Sequence, residues 1–179
     1  MSQRLSAVRR LLRKYMPELI YGANDGLVTT FAIVSGVVGA NLASKVVLIL
    51  GFASLLADGF SMGASDFLSE RSKLDDQGRR RPTGHAARHG LATFIAFVIA
   101  GAAPLIAYLL PIEATWQFAM AATLTLVVLF AVGSARSAVS ELRWFRSGIE
   151  MLVVGAVAAG VAYGIGALVS LLTGQMPAA

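Results

Sequence analysis

Residues 46–68 read VVLILGFASLLADGFSMGASDFL, 23 residues without a Lys or Arg. About 20 apolar residues in a helix cross a ~30 Å hydrocarbon core, so the length suits a membrane span, yet it carries Asp58 and Asp66. On an insertion scale an Asp at the centre of a span costs ~3 kcal/mol, and each Leu, Ile, Val or Phe offsets ~0.3–0.6 kcal/mol of that. The stretch holds eleven residues of those four types. It therefore still inserts, by a narrow margin, and the question becomes what the carboxylates do there.

The rest of the chain agrees with a membrane setting. Of 179 residues 56% are hydrophobic and 14% charged, and the mean hydropathy is +0.71, too apolar for an ordinary soluble domain. Cysteine is absent, which excludes disulfides, thiolate metal sites and cysteine nucleophiles. Five apolar stretches of span length can be marked: Ile20–Ala43, Val46–Leu68, Gly90–Leu110, Trp116–Val139 and Glu150–Leu172. The predicted fold class is an all-α integral membrane protein with five transmembrane helices.

The net charge of +5 would suggest nucleic acid in a soluble protein, but its distribution speaks for a lipid bilayer instead. Arg4, Arg9, Arg10, Arg13 and Lys14 precede the first stretch; Arg71, Lys73, Arg79, Arg80, Arg81 and Arg88 lie around the junction of the second and third; Arg136, Arg143 and Arg146 surround that of the fourth and fifth. Only Lys45 falls elsewhere. Basic loops stay in the cytoplasm, so the N-terminus is expected inside and the C-terminus outside. Residues 1–18 then form a basic amphipathic N-terminal segment suited to an anionic leaflet, or a frayed basic tail that only sets topology; 19–172 form a transport domain with a short cytoplasmic loop at 70–89, and 173–179 a tail. No short apolar core with a small-residue cleavage site follows the first charges, so a cleaved signal peptide is not expected.

Ser54, Asp58, Met62 and Asp66 recur every four residues, with Ser61, Ser65 and Ser69 beside them, which puts the polar atoms and the thioether on one helical stripe. Ionisable groups inside a membrane normally face a bundle interior or a water-filled path. A buried Asp58 that only hydrogen-bonds a neighbouring helix is the structural alternative. Asp25 lies ~8 Å along the first span from its cytoplasmic end and Met62 ~9 Å from the same side, so the two can be level. Glu150 opens the fifth span at that face, and Asn24 adds an amide oxygen. The candidate metal ligands are thus Asp25, Met62, Asp58, Asp66, Asn24 and Glu150, although a carboxylate such as Glu150 in a first helical turn also stabilises the helix dipole with no other role. Carboxylate, amide and thioether together favour Fe²⁺, with Mn²⁺ next. A carboxylate moved out of water holds its proton more tightly, which lets protons compete with the metal.

The strings YGANDGLVTTFAIVSGVVGA, LLADGFSMGASDFLSERS and GIEMLVVGAVAAGVAYGIGAL resemble the vacuolar iron transporter family over about residues 18–172. The resemblance implies a five-span membrane protein, working as a homodimer, that exchanges Fe²⁺, and in some members Mn²⁺, for H⁺. It also implies that Asp25 and Met62 line the path at the dimer interface; Asp58 and Asp66 come from spacing alone. The plant type in that family carries a long metal-gathering insertion between the second and third spans. Here only the short loop after Glu70 is present, so the chain is similar to the shorter members.

His85 and His89 are four residues apart and would share a face if that end of the loop were helical. Without a nearby carboxylate they read as exposed polar residues and stay outside the expected site. Gly22/Gly26, Gly59/Gly63 and Gly160/Gly164 have the spacing that lets helices approach closely in lipid, and Pro104 is expected to bend the third span. No recognisable catalytic constellation is present, so an enzyme is not expected, nor is a resident cofactor. The function classes left are a proton-coupled divalent-metal transporter exporting the cation from the cytoplasm, and a non-transporting scaffold whose buried acids only fix helix contacts. A prokaryotic plasma (inner) membrane is preferred, with a vacuolar membrane as the alternative.

Overall fold

The computed structural model describes residues 2–76, 83–138 and 143–174, with side chains from residue 14 to 73 in the first of these segments and throughout the other two. Among the described residues every regular element is an α-helix: α1 (Ser2–Gly39), α2 (Ser44–Asp76), α3 (Thr83–Gly101), α4 (Ala103–Leu109), α5 (Ala114–Arg136) and α6 (Trp144–Thr173). By length and composition α2, α5 and α6 can cross a membrane, and α3 with α4 makes a further candidate bent by 41°.

The helix ends follow from local chemistry. After α1 the chain turns at Asn41, which has φ 54°, a left-handed conformation that Asn tolerates better than most residues. Leu42 N–H bonds Val37 O at 3.1 Å and Asn41 N–H bonds Val38 O at 3.0 Å, the paired bonds of a Schellman cap. The expected bend in the third span is present, with Pro104 in the first turn of α4, where its missing N–H breaks no helical bond. Leu110 is extended at ψ 146°, as the residue before Pro111 must be.

α1 packs against all five other helices, and from Gly22 to Gly39 none of its residues is exposed. It is not among the helices apolar enough to cross a membrane alone, because Asn24 and Asp25 interrupt its apolar run. Enclosure by protein compensates. Phe31, Val34 and Val37 of α1 share one core with Val47 and Leu55 of α2, Phe97 of α3, Leu105 and Tyr108 of α4, Ala121 of α5 and Ala159 of α6. The close approaches use glycine where backbones meet: a Cβ at Gly26 would strike the Phe97 backbone, and one at Gly166 the Gly36 backbone. Gly160 and Gly164, by contrast, face open space, so that pair makes no close helix contact within the chain.

The loop expected at 70–89 is shorter than its composition suggested. α2 continues to Asp76 and α3 starts at Thr83, so both histidines are helical. Likewise the basic segment 1–18 runs on into α1 through Pro17; the side chains of its residues 2–13, and the tail residues 175–179, lie outside what the structure describes.

Candidate functional site

Asp25 is half-buried on the enclosed helix, directly before the glycine that seats α1 on α3. Asp58, on α2, lies near enough for its charge to act on that of Asp25. Asp58 is exposed in the single chain and accepts a hydrogen bond from the Ser54 hydroxyl. Two carboxylates whose charges repel are relieved by a cation held between them, or by a proton on one. Met62, one turn from Asp58, is half-buried and packs against the main core.

Asp66 takes another direction. Its Oδ2 accepts a hydrogen bond from the Thr93 hydroxyl of α3 at 2.7 Å, and Thr93 is fully buried. Asn24 and Glu150 are found together in an open groove of about 950 Å³ between α1 and α6, also lined by Tyr21, Arg136 and Arg146. Glu150 is ion-paired there, with Arg146 at 3.3 Å and Arg136 at 3.8 Å. The side-chain oxygen of Asn24 is buried with no hydrogen-bond partner among the described residues. Neither Asp25, Asp58 nor Met62 lines this groove. The structure thus separates the candidate ligands into Asp25 on the enclosed α1; Asp58 and Met62 one turn apart on α2; an acid tied to α3, Asp66; and a groove holding Asn24 and Glu150.

Sequence reading passed over Glu18 and Glu70 and set both histidines aside. In the structure one ligand atom each from Glu70, His85 and His89 lies within 4.8 Å of the others, and His89 Nδ1 is 2.6 Å from Glu18 Oε1. The four-residue histidine spacing was the available signal. What it lacked was the carboxylates, which come from α1 and α2.

The sequence pattern of the VIT family matches residues 16–86 and 76–167. A vacuolar iron transporter of Toxoplasma gondii is 26% identical over 231 aligned residues, covering 89% of this chain and 76% of the relative. Vacuolar iron transporter 1 of Eucalyptus grandis is 25% identical, covering 83% of this chain and 84% of the relative. Vacuolar iron transporter homolog 1 of Oryza sativa subsp. japonica is 30% identical, covering 85% and 72%. The match takes in the carboxylate-bearing α1 and α2 together with the helices that enclose them. This chain, a multi-pass helical membrane protein, belongs to the VIT family.

Proposed function

We propose that the protein carries a divalent first-row cation, Fe²⁺ first and Mn²⁺ second, out of the cytoplasm in exchange for protons. The observation that carries this reading is a half-buried carboxylate, Asp25, on the helix that all the others enclose, with Asp58 on the neighbouring α2, inside a chain whose relatives are named iron transporters. A pair of like charges is a poor way to hold helices together and a good way to hold a cation, and protonation of one member offers a route to release. Met62 supplies a thioether beside that pair, which favours a transition metal over Mg²⁺ or Ca²⁺.

In this reading α1, α2, the bent α3–α4 pair, α5 and α6 are five spans, with the N-terminus in the cytoplasm and the C-terminus outside. The working unit is a homodimer with α1 and α2 at or near the interface: Asp58, Ser61 and Ser65 are exposed in the single chain, and polar groups at membrane depth belong against protein or water rather than lipid. The membrane is a prokaryotic plasma membrane or a vacuolar one, and the relatives' names speak for the second.

The scaffold reading draws on a specific observation at Asp66 alone, whose bond to Thr93 favours a structural role for that residue. Fe²⁺ uptake into proteoliposomes, with and without a pH gradient, decides between the readings. Flux that rises with the proton gradient is expected; well-folded protein that moves no metal under either condition overturns the proposal.

A further inference from the structure

We propose that Glu70, His85 and His89 form a second metal site, for a divalent first-row transition cation, where the ends of α2 and α3 meet α1, with Glu18 as the residue that orients His89. His85 and His89 stand one turn apart on α3 with their rings stacked, centroids 4.8 Å apart and planes at 29°. From α2, Glu70 Oε1 approaches His85 Nδ1 at 3.8 Å. The three candidate ligand atoms lie within 4.8 Å of one another. Ligands about 2.0–2.2 Å from a tetrahedral ion sit ~3.4 Å apart, so closing the site takes an approach of up to roughly 1.4 Å, within reach of a carboxylate rotation at half-buried Glu70.

A second observation, independent of that clustering, singles out His89. It is 7% exposed, its Nδ1 lies 2.6 Å from Glu18 Oε1, and its Nε2 is buried with no hydrogen-bond partner among the described residues. If Nδ1–H donates to the carboxylate, Nε2 keeps a lone pair that nothing answers; if the ring is doubly protonated, Nε2–H is the buried orphan. Either way a buried polar atom finds no partner among the described residues, which is costly without a ligand. A cation on the Nε2 lone pair removes that cost. A carboxylate on the other ring nitrogen is also the usual partner of a metal-bound histidine, fixing its tautomer and raising its basicity. The Tyr15 ring, 4.8 Å from that of His89, closes one flank against water.

Lys73 reaches Glu70 Oε2 only at 3.9 Å and is 65% exposed, so the pair is loosely held. Two imidazoles and one carboxylate, without any thiolate, suit Fe²⁺, Co²⁺ or Zn²⁺ rather than Mg²⁺, Ca²⁺ or Cu⁺. One turn further into the bundle Thr93 and Asp66 join α3 to α2, so the site caps a polar column shared by the two helices. It stands apart from Asp25 and Asp58, and its existence does not depend on their carrying a cation.

Co²⁺ binding to the purified full-length protein tests this, read by visible d–d absorption and by X-ray absorption of the bound metal. The wild type and Asp25→Asn are both expected to bind Co²⁺ with two imidazoles in the ligand shell. His85→Gln and Glu70→Gln should each lose more affinity than Glu18→Gln, for which a ~10–100-fold loss is expected of an outer-shell partner. A wild-type shell without imidazole overturns the proposal and needs no variant to read. So does unchanged Co²⁺ affinity in both His85→Gln and Glu70→Gln. Since Asp25→Asn removes the transport pair and leaves this site, failure of one assignment does not pass for failure of the other.

Discussion

The Thr93 hydroxyl of α3 donates to Asp66 Oδ2 of α2 at 2.7 Å, from a position with no solvent exposure. Thr93→Val keeps the shape and removes the donor. It should destabilise the bundle by about 1–3 kcal/mol, the loss of a hydrogen bond to a half-buried carboxylate. Asp66→Asn retains an acceptor, so it should cost less and keep most Fe²⁺ flux. Thermal unfolding in detergent, beside proteoliposome flux, reads both; a collapse of flux in stable Asp66→Asn protein would make Asp66 a ligand after all.

The Asp25–Asp58 pair behaves differently. Asp25→Asn should weaken metal transport and loosen any residual flux from the pH gradient, since it removes one of two interacting charges. Asp58→Asn should impair flux as well, and the double variant should be little worse than the more damaging single one, because groups acting as a unit are not additive. Unchanged flux in Asp58→Asn would assign that residue to its bond with Ser54.

Met62→Leu conserves volume at a half-buried core position, so folding should suffer by less than ~1.5 kcal/mol. Transport of Fe²⁺ should fall further than that loss explains. Comparing flux with unfolding temperature in the same preparation separates the thioether from its packing.

Glycines of the same nominal motif should respond in opposite ways. Gly26→Ala pushes a methyl into the Phe97 backbone and should force α1 off α3, with a loss of about 1–3 kcal/mol or more expected from overpacking. Gly160→Ala meets open space and should be neutral or stabilising by up to ~1 kcal/mol through helix propensity. Unfolding midpoints of the two variants check this.

Ala57 is exposed next to Asp58, and the chain has no native cysteine. Ala57→Cys should therefore cross-link between copies if α2 lies at the dimer interface. A uniformly monomeric, transport-active preparation would count against that interface. A reporter fused after Ala179 should be active only outside the cytoplasm.

The helical, lipid-embedded character of the chain was legible because apolar runs of span length are separated by basic residues. The α2 stripe was legible only in part. A four-residue repeat overshoots the 3.6-residue turn by ~40° at each step, so by Asp66 the row has swung ~80° from Asp58. That rotation leaves Asp58 exposed and brings Asp66 round to Thr93. Glu18 and His89, separated by 71 positions in the chain, carry no mutual signal at all. Their meeting depends on α1 and α3 being drawn together at Gly22 and Gly26.

The enclosure of α1 bears on how the protein is made. The helix that contacts all the others is also the one whose own apolarity falls short of a solitary span, and it leaves the ribosome before its neighbours do. Until α3 and α6 arrive, Asn24 and Asp25 lack most of their protein surroundings, and the segment bears the cost of their polar groups alone. Assembly of this bundle is accordingly a matter of timing: the centre is laid down first and becomes secure last.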